Sequence, residues 1–299
     1  MHKFIRSNKN PNTHVFVCEY NWPIEECLKG RALVIKINNL DDVVNIQKHL
    51  DETTKLDAFI YRDEYASLET IDINPAWGDT PVILYINRLG QFRNIHQKIE
   101  LLKRLNVIVI FTSTGYQACK DAQILSSLGI HSGIEFTPDS QLNESVLDLM
   151  TYAFYGTMPH ADIEPFSTIE KYYDGESYVS PALAEFINPE RYIHIDKDLN
   201  LAFSHADLRN GRVLPEKYPY LKTEEFAESA ERESLKWQEW FVDSHECTFC
   251  PAFRVCMGYF CNAENKDNGR CKEVMTELLE SIEFHKLRLQ QNNKKKCQL

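Results

Sequence analysis

Six short apolar runs recur through the first half of the chain and constrain its fold more than any other feature. They are residues 15–18, 32–37, 57–61, 82–86, 107–112 and 131–136. Rich in Val, Ile, Phe and Tyr, the runs are continuously apolar rather than alternating, which is typical of parallel strands buried on both faces. They predict about six strands of a parallel sheet in an α/β fold.

Helical periodicity follows the fourth, fifth and sixth of these runs. Apolar side chains recur at helical spacing in residues 92–105, 118–128 and 146–154, and each stretch is expected to pack one face on the sheet. Gly129 comes at the end of the second stretch, where a left-handed C-cap favours glycine. Residues 63–80 are less regular and predict either a loop or a short helix.

The second half of the chain has a different pattern. Residues 159–190 contain four prolines and predict an irregular connector. Two apolar runs, 192–195 and 201–203, flank a polar turn and predict a β-hairpin. Thr223 is expected to cap a helix that ends near residue 241, and a last helix is expected over residues 272–290.

Composition and charge exclude several classes of function. Lys and Arg total 33 against 44 Asp and Glu, a formal charge of −11, which disfavours nucleic acid as a partner because phosphate backbones require a basic surface. No apolar run approaches the roughly 20 residues of a membrane span, and no export signal is evident. A cytoplasmic protein without a membrane partner is expected. The glycine-rich motifs of standard nucleotide-binding folds are missing.

Five of the nine cysteines fall within residues 247–271, in the pattern Cys247-x2-Cys250-x5-Cys256-x4-Cys261-x9-Cys271. Two cysteines separated by two residues can turn both thiolates toward one metal, and two more from nearby chain complete a four-thiolate shell. In an intracellular chain this clustering indicates a metal site rather than disulfides. Which of Cys261 and Cys271 is the fourth ligand stays open.

The spacing bears on which metal is bound. A zinc ribbon usually has two C-x2-C pairs, whereas this chain has one pair followed by single cysteines. Iron-sulfur clusters accept a wider set of spacings, so one 4Fe-4S cluster is the first expectation and zinc is the alternative. His245 is either a further ligand or a loop residue. Apolar neighbours of the ligands are expected to shield the cluster, namely Phe249, Pro251, Phe253, Val255 and Phe260.

These cysteines resemble the C-terminal SPASM domain of radical SAM peptide-maturing enzymes, whose signature is C-x2-C-x5-C-x3-C with a later cysteine. The first two spacings match and the third gap is one residue longer. The resemblance implies that Cys247, Cys250, Cys256 and Cys271 match the ligands of the second auxiliary cluster. Cys261 would belong to the first cluster, whose other ligands are not evident, so one cluster is expected.

The residues upstream add to this resemblance. SPASM domains begin with a stretch like Ile-Asp-x-Asp-Gly-Asn that ends in a cysteine, and this chain has Ile-Asp-Lys-Asp-Leu-Asn at 195–200. Leu199 replaces the glycine, and Ser204 stands where the cysteine would be.

Radical SAM cores are partial barrels of about six βα units, so the resemblance implies a fold and a domain plan. The fold is an α/β partial parallel (βα)6-type barrel followed by a small cysteine-rich module with a β-hairpin and helices. The plan, in chain order, is a flexible tail 1–14, a degenerate radical SAM-like core 15–158, a connector 159–190, a SPASM-like metal-binding module 191–290 and a basic tail 291–299.

One departure from the family changes the expected chemistry. Radical SAM enzymes need C-x3-C-x2-C after the first strand, and the cysteines of the first half, Cys18, Cys27 and Cys119, do not have that spacing. Such a site is what binds and reduces S-adenosylmethionine. We therefore expect neither radical SAM chemistry nor bound S-adenosylmethionine.

The first functional hypothesis is an accessory metal-cluster protein of a ribosomally synthesised peptide-maturation system. The resemblance implies a precursor peptide or a peptide-modifying enzyme as partner, such as an ATP-grasp ligase or a radical SAM enzyme. An acidic surface would favour a basic leader peptide, and the hairpin edge at 192–203 offers a place for strand addition.

Two alternatives stay open. One is an enzyme of unknown reaction with structural metal, whose polar groups would lie at the C-terminal ends of the strands. Its candidate residues, each also explained as a cap or loop residue, are Arg62, Asp63, Asn87, Arg88, Thr112, Ser113, Thr114, Glu135 and Thr137. The other alternative is a zinc-stabilised scaffold protein.

Overall fold

The computed structural model describes residues 14–20, 27–189, 191–220, 223–243, 245–260 and 270–296. These residues divide into two compact units. We call the described residues within 14–112 and 186–239 the sheet unit, and those within 113–185 and 240–296 the cysteine unit. This is not the division predicted from the sequence, because the hairpin groups with the first strands rather than with the cysteine segment.

The described residues form an α/β structure with nine strands, and the strand pairs within each unit are parallel except for one antiparallel pair. The strands are β1 (Val15–Glu19), β2 (Ala32–Ile37), β3 (Lys55–Ser67), β4 (Val82–Arg88), β5 (Val107–Phe111), β6 (Ser132–Ile134), β7 (Ile163–Glu164), β8 (Tyr192–Ile195) and β9 (Leu201–Ala202). All six strands predicted from the apolar runs are confirmed as β1 to β6. The predicted hairpin is also confirmed, as the antiparallel pair β8 and β9.

In the sheet unit the strand order is β5-β4-β3-β2-β1-β8-β9. Every pair from β5 to β8 is parallel, and β1 lies between β2 and β8. Successive residues of one strand are buried, as at Leu33, Val34 and Ile35, so both faces of the sheet are covered. This explains why the runs are continuously apolar.

Ten α-helices lie in the described residues. They are α1 (Asp42–His49), α2 (Phe92–Leu102), α3 (Tyr116–Ser127), α4 (Glu144–Tyr155), α5 (Phe166–Tyr172), α6 (His205–Arg209), α7 (Thr223–Ser234), α8 (Trp237–Val242), α9 (Phe253–Cys256) and α10 (Arg270–Lys296). Short 3₁₀ helices cover Pro75–Trp77, Pro181–Leu183 and Glu246–Phe249. None of the described helices combines the length and apolarity that a membrane span requires.

The predicted helices after β4, β5 and β6 are confirmed as α2, α3 and α4. The helix predicted from Thr223 to about 241 is instead two helices, α7 and α8. The chain changes to i→i+3 hydrogen bonds between them, from Gln238 N to Leu235 O at 2.8 Å and from Glu239 N to Lys236 O at 3.1 Å, which tightens the backbone and redirects the helix.

The cysteine unit contains β6 and β7, which pair in parallel, and most of its residues are helical. Gly129 has φ +82°, so the predicted left-handed cap after α3 is confirmed. The predicted buried line of the last helix is also confirmed, because Val274, Leu278 and Ile282 are buried. The region predicted as an irregular connector holds β7, α5 and a 3₁₀ helix.

Candidate metal centre

The Cys-x2-Cys pair lies on a single tight turn of the cysteine unit. Cys247 is inside the 3₁₀ helix Glu246–Phe249, and Cys250 ends it. The Cys250 N–H donates to the Cys247 carbonyl at 3.1 Å. His245 caps the helix, since its Nδ1 accepts from the Cys247 N–H at 3.2 Å. The turn therefore holds the two cysteines close together, and one ring nitrogen of His245 is occupied by the cap.

Cys256 ends α9 and is buried. Two left-handed residues follow it, Met257 at φ +49° and Gly258 at φ +72°, and they fold the chain back over its sulfur. Hydrogen bonding by the backbone N–H groups of Phe260, Tyr259 and Gly258 contributes to a lowered pKa of the Cys256 thiol. Consecutive amides around one atom form an anion-binding concavity, so the Cys256 position favours a thiolate. Sequence reasoning missed this feature; its only signal is the glycine two residues after the cysteine.

Cys271 lies in the first turn of α10, and its thiol is hydrogen-bonded to that of Cys256. This hydrogen bond lowers the pKa of Cys256. The pKa of Cys271 is raised by the same bond, by burial and by the charges of Cys256, Cys247 and Cys250. Four of the five cysteines predicted as ligands are therefore electrostatic neighbours. The fifth, Cys261, lies outside the described residues.

The donor set fits a thiolate-bound metal in its chemistry. Four cysteine sulfurs are the ligands that both tetrahedral zinc and iron-sulfur clusters use. In the described part of the chain, no three Cys, His, Asp or Glu side chains are arranged to hold a metal ion. Cys247, Cys250, Cys256 and Cys271 therefore do not form a coordination shell in this structure.

Residues 245–260, which we call the cysteine segment, are anchored within the cysteine unit. The Arg254 carbonyl accepts from Val179 N–H at 2.7 Å, and Arg254 Nη1 donates to Gly175 O at 3.0 Å. Tyr259 Oη donates to the Phe136 carbonyl at 3.0 Å. Anchors on both sides of Cys256 fix the position of its sulfur.

Aromatic packing strengthens this anchoring but shields the sulfurs only in part. Phe260 meets Phe136 edge to face, with ring centroids 5.3 Å apart. Of the five residues expected to shield the site, Phe253, Val255 and Phe260 are buried. Phe249 is 77% exposed and Pro251 is also exposed. The expectation is therefore wrong for Phe249 and Pro251, whose side chains are exposed to solvent.

The remaining cysteines lie away from one another along the chain and carry other roles. None of the seven described cysteines is in a disulfide. Cys18 Sγ lies 3.8 Å from Val34 O in the sheet. Burial raises the pKa of Cys119 to about 12, and its thiol donates to Thr114 O, so it is an unreactive packed thiol. Cys27 is exposed, and Cys297 lies outside the described residues.

The stretch that resembles the start of a SPASM domain forms the turn of the β8–β9 hairpin. Asp196 Oδ1 accepts from the N–H groups of Asp198 and Asn200 at 2.9 Å. Leu199, at the position where that stretch has glycine, has φ +63°, a conformation that glycine adopts most easily. Ser204 caps α6 by accepting from Asp207 N–H at 3.0 Å. In the sheet unit Ser204 therefore serves as a helix cap.

The outer edge of this hairpin is occupied by its own chain. Leu214 N–H donates to Leu201 O at 2.7 Å, and Tyr218 N–H donates to Leu199 O at 3.0 Å. The other side of β8 pairs with β1. The hairpin backbone is thus not open for strand addition, contrary to the expectation from the sequence.

Several residues named for the alternative enzyme form turns and caps. In the sheet unit, Asp63 Oδ1 accepts from Tyr65 and Ala66 N–H groups at 2.9 and 3.1 Å. The Arg62 guanidinium lies over the Tyr85 ring at 4.9 Å. In the cysteine unit, Thr114 Oγ1 donates to Gln141 O at 2.9 Å. These contacts agree with structural roles for Asp63 and Thr114.

Comparison with protein-family models, with curated proteins and with solved structures finds no match to the chain. The chemistry of the cysteine centre is therefore the basis of the functional argument.

Proposed function

We propose that this chain is an accessory metal-binding protein of a ribosomal peptide-maturation system. Its cysteine unit would hold one 4Fe-4S cluster through Cys247, Cys250, Cys256 and Cys271, with zinc as the alternative metal and Cys261 as the competing fourth ligand. The observation that carries the proposal is the cysteine spacing of residues 247–271, together with the effect of Cys256, Cys247 and Cys250 on the pKa of Cys271.

Two features favour an iron-sulfur cluster over zinc in this proposal. The chain has one C-x2-C pair rather than two. Hydrogen bonding from three backbone N–H groups lowers the pKa of Cys256. Hydrogen bonds of this kind to a ligand sulfur set the reduction potential of a cluster. When bound, the cluster would cross-link the cysteine segment to α10 and supply an electron-transfer centre.

The proposed role is binding rather than radical chemistry, because C-x3-C-x2-C is missing from the sequence. We propose that the parallel strands are a degenerate (βα)6-type core used for binding and that the cysteine segment belongs to a SPASM-like module. The partners would be a precursor peptide and its modifying enzyme in the cytoplasm. The net charge of −11 supports a basic segment in that peptide.

Metal analysis of anaerobically purified protein tests the proposed centre. About four iron and four sulfide per chain, with a broad visible absorption band, is the expected result for one cluster. About one zinc per chain and no colour would support the zinc-stabilised scaffold instead. Purified protein without metal that also fails to take up iron and sulfide on reconstitution would contradict both.

Ligand variants with matched controls test the residue assignment. Cys250→Ala and Cys271→Ala should each lower bound metal at least about tenfold, because a four-thiolate shell loses a ligand. Cys27→Ala removes an exposed cysteine of the sheet unit and should keep the metal. Cys261→Ala decides the fourth ligand: retention of metal would support Cys271, and loss would assign Cys261.

Anisotropy with labelled synthetic peptides tests the proposed partner. A basic peptide should bind at least about tenfold more tightly than an acidic peptide of the same length at low salt, and added salt should reduce the difference. Equal binding of both peptides, or none, would contradict a basic leader as partner while leaving the metal assignment to the analysis above.

A further inference from the structure

The sheet unit contains a cleft of about 260 Å³ at the N-terminal ends of its parallel strands. Its lining comes from the first residues of β3, β4, β5 and β8 and from the segments before them. The residues are Lys55, Asp57, Ala58, Pro81, Val82, Ile83, Asn106, Ile108, Phe186, Arg191 and Tyr192. None of the lining residues that the structure describes is a cysteine, so an inference about the cleft goes beyond the proposed function.

The charged lining residues of the cleft form one connected set. Lys55 Nζ lies 3.0 Å from Asp57 Oδ1, and Arg191 Nη2 lies 3.9 Å from Asp57 Oδ2. The Arg191 guanidinium also lies over the Tyr192 ring at 5.2 Å. Among the described lining residues, two cations and one carboxylate give a net positive charge, although the whole chain carries −11. The cleft therefore favours an anionic group.

Apart from Asn106, the other described lining residues are mainly apolar and include two aromatic rings. Phe186 and Tyr192 meet edge to face, with ring centroids 5.3 Å apart. Ala58, Val82 and Ile83 are buried. A volume of about 260 Å³ is below the range of sites for drug-sized ligands, so the cleft has room for an apolar body about as large as one or two side chains.

Two buried histidines of the sheet unit hold the wall of the cleft at 186–189. His194 Nε2 donates to Phe186 O at 2.9 Å, and His14 Nε2 donates to Pro189 O at 3.2 Å. Phe186 has φ +57°, a left-handed conformation that is strained for an aromatic residue. Such strain persists where the surrounding fold enforces it, often at ligand sites. The aromatic wall is therefore preformed.

We propose that this cleft binds a monocarboxylate with a compact apolar body. Arg191 and Lys55 would bind the carboxylate, and the body would pack against Phe186 and Tyr192. A singly charged anion matches the net charge of the lining, whereas Asp57 would repel a phosphate dianion. The same chemistry has two sources, the C-terminal residue of a peptide and a free small carboxylic acid.

Calorimetry on the full chain with N-acetyl-L-phenylalanine tests the proposal. The free carboxylate should bind at least about tenfold more tightly than N-acetyl-L-phenylalaninamide, because the amide removes the charge that Arg191 binds. No binding at millimolar concentration, or equal binding of acid and amide, would overturn it. The result is independent of metal content, so it is separable from the test of the cysteine centre.

Variants locate the binding. Arg191→Gln should weaken the acid at least about tenfold, and Lys55→Gln about threefold, because the Lys55 side chain is 76% exposed and its contribution is screened. The Lys55 variant is a surface change that should leave folding intact. Arg93→Gln, on the exposed side of α2, is the matched control and should bind normally. Unchanged affinity in the Arg191 and Lys55 variants would overturn the proposal.

A third comparison distinguishes the two sources. If the cleft takes peptide C-termini, Gly-Gly-Phe with a free carboxylate should bind at least about tenfold more tightly than N-acetyl-L-phenylalanine. The amidated form of Gly-Gly-Phe is the control for the carboxylate charge. Equal affinity of the tripeptide and the acetylated amino acid would assign a small carboxylic acid. Either outcome supports the carboxylate site.

Discussion

The sheet unit and the cysteine unit obtain their structure in different ways. In the sheet unit, five strands before residue 112 bury successive apolar side chains against one another and against helices. The cysteine unit has two strands of three and two residues, and its cysteine segment contains two helices of only four residues. Burial of apolar surface is sufficient to specify the first unit, whereas the cysteine segment relies on a few anchors and on its thiols.

The largest expected effects test this difference with two matched aromatic residues. Phe59 of β3 and Phe260 of the cysteine segment are both buried, at 0% and 1% exposure. Replacing either with Ala should lower the free energy of unfolding by about 3–5 kcal/mol, because each deletion leaves a cavity. Phe260→Ala should also lower bound metal, because it removes the ring that packs on Phe136 and anchors the chain next to Cys256.

Urea unfolding with and without a chelator, together with metal analysis, checks this pair. The loss of unfolding free energy caused by Phe59→Ala should be the same with and without the chelator. Without the chelator, this variant should keep its metal. The loss caused by Phe260→Ala should shrink once metal is removed from both proteins. If Phe59→Ala loses metal as readily as Phe260→Ala, metal binding does not distinguish the cysteine unit from the sheet unit, and the contrast between the two units is wrong.

The pH dependence of stability is the next largest effect and belongs to the sheet unit. Burial lowers the pKa of His194 to about 4; the hydrogen bond to Phe186 O and the charge of Asp207 oppose this shift, and the charges of Lys36 and His205 add to it. The unfolded chain binds a proton near pH 6.5 and the folded chain does not. The free energy of unfolding should therefore fall as the pH decreases from about 6.5 to about 4, by about 3 kcal/mol in total.

Chemical denaturation across this pH range, in the wild type and in His194→Gln, isolates the contribution. Glutamine has an N–H to donate to Phe186 O but does not titrate. The slope between about pH 6.5 and about pH 4 should be shallower in the variant, and the titration of carboxylates common to both proteins cancels in the difference. Parallel curves would show that His194 is not the responsible group.

The sequence predicts local features of both units well and their long-range pairings poorly. The bounds of β2 coincide with residues 32–37 because a continuous apolar run is a local signal. The pairing of β8 with β1 joins residues far apart in the chain, such as Val17 and His194. The register of this pair depends on tertiary packing, which no local pattern encodes. The domain plan predicted from the sequence therefore places the hairpin with the cysteine module.

The same reasoning applies to the two candidate sites. The cysteine pattern predicts ligands because cysteine is a rare residue with specific chemistry, and the charges of Cys256, Cys247 and Cys250 act on the pKa of Cys271. The backbone N–H groups around Cys256 are invisible in the sequence, because any residue supplies them. The cleft joins Lys55 to Arg191 through Asp57, and neither cation belongs to a recognisable motif.

A smaller effect is expected where the cysteine unit does depend on close packing. A Cβ at Gly133 in β6 would clash with the backbone oxygen of Glu164 in β7, so Gly133→Ala must separate the two short strands. We expect a loss of about 2 kcal/mol, typical of overpacking, measured by urea unfolding. Gly129→Ala is not a suitable control, because the φ of Gly129 is +82°. The control is Ala153→Gly on α4, which reports the ordinary cost of a helix change, about 1 kcal/mol. A loss no larger than this control would mean that β6 and β7 can move apart freely.

The smallest effect tests whether polar contacts add to the sheet unit beyond its apolar core. Lys98 Nζ donates to the carbonyls of Leu68, Glu69 and Ile71 at 3.1, 2.6 and 2.5 Å, and burial lowers its pKa. Lys98→Met keeps the apolar stem and removes the three donors. Water can reach these carbonyls in part because Lys98 is half-buried, so we expect a loss of about 1 kcal/mol rather than the cost of fully buried, unsatisfied groups.

Urea unfolding of Lys98→Met against Lys103→Met measures this contribution. Lys103 pairs with Glu100 at 3.0 Å on the surface of the same unit. The loss of unfolding free energy in Lys103→Met should be close to zero, as for exposed ion pairs generally. A loss of about 3 kcal/mol for Lys98→Met would make this single ammonium as important as a buried aromatic side chain. The sheet unit would then depend on specific polar anchors as the cysteine segment does, and the contrast between the two units would reduce to the thiols alone.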